Sequence, residues 1–294
     1  MLYALGIFSL LALLAAYVLI ERKLPYVIIT PYRRKLTDTP GNYGLAYEQF
    51  RLRVDDAVEL DTFFIPATTP ARANLIILHG IGSGKEVYLP LLPELCRMGY
   101  NILLWDQRAH GRSDGTYVTF GAREVPDVSR GLDWLDARTP HVPTGIYGNS
   151  MGGAVALQSL AADARLRFGL IESTFSTLPD ITHAYGIRMA GFWVPRWLTD
   201  RLLGNAGKIA GFRPFAIRPV DAVAEITQPV LLIHGDADNN ININHAHRLF
   251  AALGSADKAF HVVPGGDHAD LWERGGNEYK EVWYGFFRKM LTAL

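Results

Sequence analysis

Short apolar runs alternate with helical patterns from about residue 45 to the end of the chain, and this alternation constrains the fold more than any other feature. It is typical of a mostly parallel sheet, because parallel strands need a crossover helix between them. Several runs are apolar at every position, which predicts strands covered by helices on both faces. The eight predicted strands read YEQFRLRV, VELDTFFI, NLIILHG, NILLWD, GIYGNS, FGLIEST, PVLLIHG and KAFHVVP. The helical patterns lie near residues 86–97, 123–137, 151–163, 243–254 and 277–294.

One region, residues 176–225, breaks this alternation. It contains YGIRMAGFWVPRWLTDRLLG, in which Trp, Phe and Leu recur at helical spacing. This pattern predicts a helical insert between the sixth and seventh strands. A chain of 294 residues that is 49% apolar can bury one sizeable core. We therefore predict a single α/β domain over residues 45–294, with the insert forming a lid.

Composition excludes several classes of function. The 29 basic residues balance the 29 acidic ones, so nothing indicates a nucleic-acid-binding surface. Cys96 is the only cysteine, which excludes an internal disulfide and a thiolate metal cluster. Its helical, apolar surroundings predict a packed and unreactive thiol. No motif predicts a cofactor or a metal ion.

The N-terminal residues Leu2 to Ile20 carry no charge and are almost wholly apolar. A helix of this length nearly crosses a hydrocarbon core of ~30 Å, so we predict a transmembrane anchor over residues 1–22 and a linker over 23–44. A cleaved signal peptide is the alternative, but no basic n-region precedes the run and no A-x-A site follows it. The positive-inside rule favours a single-pass protein with a cytoplasmic main domain, because basic residues only follow the run: Arg22, Lys23, Arg33, Arg34 and Lys35.

The sequence YGNSMGG carries the main chemical signal. It fits the pattern G-x-S-x-G, follows an apolar strand and opens a helical pattern. In this context the pattern indicates a nucleophile elbow, a strained turn that presents a serine at the end of a sheet. We therefore predict that Ser150 is a catalytic nucleophile.

A serine nucleophile needs a base, and the base needs a carboxylate that orients it. His268, in VVPGGDHADLW, follows the last predicted strand, and Asp238, in LLIHGDADNN, follows the one before it. Both lie where the carboxyl ends of parallel strands assemble a site. We predict Asp238 as the acid, because Asp236 is closer to the strand and better placed to hold the turn. Glu172 remains a weaker alternative.

A third feature is the glycine-rich turn in LIILHGIGSGKE. A tetrahedral oxyanion needs two backbone N–H donors, one after the nucleophile and one from the loop after the third strand. These donors would be Met151 and Ile81, with His79 bracing the loop. A phosphate loop is excluded because Lys85 is followed by Glu86 and the glycine spacing is wrong.

The motifs HGIGSG, WDQRAHGRSDG, GNSMGG, LLIHGDAD and GGDHADLW together resemble the α/β-hydrolases, from about residue 45 to the C-terminus. Within that family the chain is similar to the N-terminally membrane-anchored serine hydrolases, on the stretches IESTFSTLPD and YKEVWYGFFRKML. The resemblance implies that Asp106 and Arg108 support the turn near the elbow, whereas the residues alone leave a substrate-carboxylate clamp at Arg108 open. The two Asn residues after Asp238 depart from the usual pattern. A serine at the elbow disfavours dehalogenase and epoxide hydrolase activities.

We therefore predict a membrane-anchored serine hydrolase that cleaves carboxylic esters, including lipidic esters or thioesters, without a cofactor. A serine aminopeptidase is the first alternative, although such an enzyme would need an acidic cluster in the lid to bind an amine, and residues 176–210 contain only Asp180 and Asp200. A non-catalytic membrane-tethered scaffold is the second. Six apolar lid residues predict an acyl pocket, although ordinary lid packing explains them equally well: Phe192, Trp193, Trp197, Leu198, Leu202 and Leu203.

Overall fold

The computed structural model describes residues 2–34 and 37–293, and its described part contains one sheet of eight strands. The spatial order is β1-β2-β4-β3-β5-β6-β7-β8, and β2 runs in the opposite direction to the other seven strands of this sheet. Each predicted strand is present, so the predicted mostly parallel α/β-hydrolase sheet is confirmed. The strands are β1 (Glu48–Arg53), β2 (Glu59–Ile65), β3 (Ala73–Leu78), β4 (Tyr100–Trp105), β5 (Thr144–Asn149), β6 (Leu166–Glu172), β7 (Val230–Gly235) and β8 (Lys258–Val263).

Some helices lie where the sequence predicts crossovers between strands, and others form the lid. They are α1 (Leu2–Val18), α2 (Pro25–Ile29), α3 (Leu92–Met98), α4 (Glu124–Arg138), α5 (Met151–Ala162), α6 (Leu178–Ala190), α7 (Arg196–Ala210), α8 (Pro219–Ala222), α9 (Asn244–Ala252) and α10 (Leu271–Ala293). A π-helical turn, Leu19–Lys23, joins α1 to α2. Gly276, with φ 54° and ψ −136°, kinks α10 near its start.

Both faces of the sheet are covered, which explains the uninterrupted apolar runs. Along β3, Leu75 and Ile77 pack with α3 and α10, whereas Ile76 and Leu78 pack with α4 and α5 on the other face. All four side chains are almost completely buried. Each such side chain contributes about 1.5–3 kcal/mol relative to an exposed one, so this strand is held from both sides.

The lid predicted over residues 176–225 contains helices α6, α7 and α8. Thr177 begins α6 by accepting a hydrogen bond from the N–H of Asp180, and the left-handed Gly191 ends it. The left-handed Gly211 ends α7 in the same way. These residues therefore determine where α6 begins and where both lid helices end.

The N-terminal region differs from the sequence prediction in two ways. In the described part of the chain, no helix is long and apolar enough to cross a membrane, so the predicted transmembrane helix is not found there. Part of the predicted linker, residues 23–44, also packs against the main domain: Ile29 is fully buried beside α7, and Arg33 donates a hydrogen bond to the Ser113 carbonyl. Glu21, at the end of the predicted anchor, accepts a hydrogen bond from Arg201 of α7. Lys35, one of the basic residues that follow the apolar N-terminal run, lies outside the described residues.

Candidate active site

Ser150 lies in a strained turn between β5 and α5. Its φ of 55° and ψ of −119° are rare for a residue with a side chain. A Cβ atom on Gly148 would lie 2.3 Å from the carbonyl oxygen of Gly152, and one on Gly152 would lie 2.2 Å from that of Leu78. The two glycines of the motif are therefore required sterically, because any side chain there would collide with backbone.

His268 lies in the loop between β8 and α10 and contacts Ser150. Its Nε2 is 3.1 Å from Ser150 Oγ, and its Nδ1 is 2.8 Å from Asp238 Oδ2. These contacts fit a neutral imidazole that donates from Nδ1 to the carboxylate and accepts from the serine hydroxyl at Nε2. The structure thus brings the three predicted residues together, from the ends of three strands.

Asp238 is held more firmly than a loop carboxylate usually is. Its Oδ1 accepts hydrogen bonds from the N–H groups of Asn240 and Ile241, at 2.8 and 2.7 Å. On the other oxygen, His234 Nε2 lies 3.3 Å from Oδ2. Burial acts to raise the pKa of Asp238, but the hydrogen bonds from His234 and His268 outweigh it and lower the pKa below its usual value. The carboxylate therefore stays ionised beside the histidine.

The two alternative acids occupy other positions. Asp236 is exposed and accepts a hydrogen bond from the Gly265 N–H at 2.6 Å, so it holds the turn. Glu172 is buried behind the elbow, where its side chain contacts Asn149, Tyr147 and Tyr279. Burial raises the pKa of Glu172 in spite of these hydrogen bonds.

The loop after β3 lies against the nucleophile. A Cβ on Gly80 would lie 3.1 Å from the Cβ of Ser150, so Ile81 follows directly at the point of contact. Met151 is the first residue of α5, where a backbone N–H has no acceptor within its own helix. Ile81 and Met151 also line the same cavity as Ser150. The role of their N–H groups as oxyanion donors stays a prediction.

Two buried histidines hold this loop. His79 Nδ1 lies 2.8 Å from the Gly80 carbonyl, and its Nε2 accepts a hydrogen bond from the Gln107 N–H. His110 Nδ1 lies 2.9 Å from the Arg108 carbonyl, and its Nε2 accepts from the Gly82 N–H at 2.9 Å. Burial lowers the pKa of His110 to about 3, which keeps it neutral and able to accept. The sequence predicted the bracing role of His79 but not that of His110.

Charged residues near the loop are paired within the protein. Lys85 Nζ is buried between Asp61 and Asp106, at 2.6 and 3.0 Å, so it is not available to bind a phosphate. Arg108 binds Asp127, at 2.5 Å, and also Asp55. This arrangement agrees with a supporting role for Arg108 and excludes it as a clamp for a substrate carboxylate. Asp61 could not be recognised from the sequence, because its partner Lys85 is distant along the chain.

A cavity of about 720 Å³ opens beside Ser150. No residue in the described part of its lining carries a charge. Of the lid residues singled out from sequence, Phe192, Leu198 and Leu202 line the cavity, whereas Leu203 is buried in the core. The cavity suits an apolar ligand group placed next to the serine. Within the described residues, no cluster of His, Cys, Asp and Glu could hold a metal ion.

Trp193 and Trp197 do not line the cavity. They are 71% and 68% exposed, and Phe192, which does line the cavity, is 71% exposed as well, so none of these three side chains is packed in the core.

Comparisons with known proteins agree with the fold of the chain. The family model described as "Serine aminopeptidase, S33" matches residues 69–202 and 209–275. The chain is 28% identical to the α/β hydrolase domain-containing protein WAV2 of Arabidopsis thaliana, over 95% of this chain and 90% of the relative. It is also 28% identical to the uncharacterized protein YqkD of Bacillus subtilis, over 76% and 73% of the two chains. Among solved structures, the Pyrococcus furiosus esterase Pf2001 is similar at 26% identity with a TM-score of 0.74, covering 89% of this chain and 97% of the esterase.

Proposed function

Because the chain belongs to the serine aminopeptidase S33 family of α/β-hydrolases, we propose that it is a serine hydrolase that cleaves carboxylic esters through an acyl-enzyme on Ser150. The observation that carries the proposal is the continuous hydrogen-bonded series from Ser150 Oγ to His268 to Asp238. A serine hydroxyl with such partners has a base for its proton and a fixed carboxylate for the resulting imidazolium.

The reaction follows from the contacts. His268 Nε2 accepts the hydroxyl proton of Ser150 as the oxygen attacks the ester carbonyl. The N–H groups of Ile81 and Met151 bind the oxyanion of the tetrahedral intermediate. His268 then gives the proton to the leaving alcohol, and the acyl group remains on Ser150. Water, activated by the same histidine, releases the acid and restores the serine.

The apolar cavity favours esters with an acyl chain over peptides. An aminopeptidase site would need a free carboxylate near the serine to bind the substrate's amino group. In the lid, Asp180 is bound by Arg196 and Arg248, and Asp200 is bound by Arg196. Neither carboxylate lines the cavity. The peptidase alternative therefore lacks the charge that its substrate requires, and thioesters remain within the proposed substrate class.

A panel of substrates tests this assignment. We expect turnover of p-nitrophenyl esters and little turnover of amino-acid and peptide p-nitroanilides by the same preparation. A higher kcat/KM on the anilides would favour the aminopeptidase. The second alternative, a scaffold without activity, requires that a fluorophosphonate probe leave the folded protein unlabelled.

We also propose that α1 attaches the protein to membranes. Large apolar side chains on α1 are exposed, which is typical of a surface that binds a membrane or a partner: Tyr3, Ile7, Phe8, Leu10, Leu11 and Leu14. A variant that lacks residues 2–19 keeps Glu21 and its contacts with α7. We expect this variant to leave the membrane fraction while hydrolysing a soluble short-chain ester at the full-length rate. A variant that still sediments with membranes would contradict attachment through α1.

A further inference from the structure

The cavity beside Ser150 has one wall that comes from outside the hydrolase sheet and its lid. Leu24, Val27 and Ile28, which follow α1 in the chain, line the cavity, and so do Thr30, Pro31 and Tyr32. We propose that residues 24–32 are the wall of the acyl site that determines which acyl-chain length the enzyme accepts. This inference rests on the proposed esterase function and adds the substrate class, esters of medium and long acyl chains.

The wall is fixed at both ends. At its N-terminal side, the carboxylate of Glu21 accepts hydrogen bonds from Arg201 and Asn205 of α7, at 2.7 and 2.8 Å. On its C-terminal side, Arg33 donates to the carbonyl oxygens of Ser113 and Gly115, both at 2.6 Å. The segment is therefore held to the lid at one end and to the loop after β4 at the other. Held in this way, it can limit the length of a bound acyl chain as a rigid surface does.

The middle of the segment contacts both the lid helix α7 and the apolar cluster beside the nucleophile. Ile29 is fully buried beside Ala206 and Ala210 of α7, and its carbonyl accepts a hydrogen bond from the Val118 N–H at 3.0 Å. The neighbouring Ile28 packs against the apolar cluster that contains Met151, the residue after the nucleophile. The wall therefore reaches from the lid to the reacting end of the cavity.

The apolar lining and the volume of the cavity indicate which ligand group it binds. The segment contributes Leu24, Val27 and Ile28, and the lid contributes Leu198 and Leu202, so the two sides offer hydrocarbon and no charge. A cavity of about 720 Å³ is larger than an acetyl or butyryl group needs and falls in the range of pockets that enclose a whole small ligand. A medium or long acyl chain fits both its size and its polarity.

Val27→Trp is the variant that tests the wall. Val27 lines the cavity but is 54% exposed, so a larger side chain narrows the site without disturbing the core. Val87→Trp is the matched control, because Val87 does not line the cavity and is 42% exposed. It lies in a short 3₁₀ helix, Lys85–Leu91, that follows the loop after β3. The measurement is kcat/KM for p-nitrophenyl dodecanoate divided by that for the butyrate, in the full-length protein.

In Val27→Trp we expect this ratio to fall about tenfold or more, since each methylene kept out of the cavity costs roughly a factor of four. In Val87→Trp the ratio should stay at the wild-type value. A second variant, Ile28→Ala, widens the cavity and should shift the preferred chain length upward, which keeps the inference testable if Val27→Trp folds poorly.

The outcomes separate the inference from the function on which it rests. If folded Val27→Trp and Ile28→Ala keep the wild-type ratio of dodecanoate to butyrate kcat/KM and still hydrolyse the butyrate, residues 24–32 do not determine the acyl-chain length. The proposed esterase function is unaffected by that result. An equal fall of the ratio in Val87→Trp also overturns this role of residues 24–32. A wild-type protein that hydrolyses neither ester overturns the proposed function and the inference together.

Discussion

Replacing Asp238 by Asn should remove nearly all activity through a change in the tautomer of His268. The N–H groups of Asn240 and Ile241 both point at Oδ1 and can only donate, so the carbonyl oxygen of the new amide must stay there. The amide NH₂ then takes the place of Oδ2, which lies 2.8 Å from His268 Nδ1. Because NH₂ only donates, Nδ1 must become the acceptor and the ring proton moves to Nε2.

A proton on Nε2 points at Ser150 Oγ, 3.1 Å away, and leaves the histidine unable to act as a base. Loss of the correct tautomer in a serine triad costs about 10⁴ in kcat. This corresponds to about 5–6 kcal/mol of activation free energy. The backbone N–H groups add to the effect, because they oppose the amide flip that would restore the productive tautomer.

The assay is kcat on p-nitrophenyl butyrate, with thermal unfolding to show that the variant is folded. Asp236→Asn is the control, because the amide oxygen can still accept from the Gly265 N–H and His268 is untouched. Its kcat should stay close to that of the wild type. The reasoning is refuted if folded Asp238→Asn keeps more than about a tenth of wild-type kcat, or if Asp236→Asn is the more damaging change.

Three further predictions concern stability and reactivity. Burial lowers the pKa of His110 to about 3 in the folded protein, whereas the unfolded chain takes up a proton near pH ~6.5, so stability is lost as the pH falls through this window. Urea unfolding at pH 6 and pH 4 should show that the free energy of unfolding falls by about 1.4 kcal/mol more per pH unit in the wild type than in His110→Gln. Equal losses in the two proteins would contradict this prediction. Burial raises the pKa of the Cys96 thiol to about 12, so the native protein should not react with an aromatic disulfide reagent at pH 8, whereas the urea-unfolded chain should; rapid native labelling would refute it. Phe287 is fully buried in the layer of α10, and Phe287→Ala should lower the free energy of unfolding by about 3–5 kcal/mol in urea titrations; a loss below about 1 kcal/mol would show that the layer is loosely packed.

The sheet could be predicted from the sequence because strands that are buried on both faces are apolar at successive positions. Runs such as NLIILHG are apolar at successive positions, and helices cover both faces of β3 in the structure. The elbow was predictable for a similar reason, since Gly148 and Gly152 are required by close backbone contacts that any side chain would break. Local sequence determines both features.

The features that the sequence did not predict depend on contacts between distant residues. The linker prediction for residues 23–44 relied on charge and on Pro and Gly content, but Ile29 packs against α7 and Arg33 donates to a carbonyl in the loop after β4. The role of His110 depends on the Gly82 N–H, which belongs to another loop. The exposed and buried parts of the lid could not be separated from periodicity alone, because Trp197 and Leu203 share the same helix and face different surroundings.

The most direct test of the account is the site of covalent labelling by a fluorophosphonate. The wild-type protein is incubated with the probe, digested and examined by mass spectrometry, in parallel with Ser150→Ala. We expect one phosphonylated serine, Ser150, and no labelling of the variant. Labelling of a different residue, or equal labelling of Ser150→Ala, would contradict the claim that this serine is the nucleophile of a hydrolase.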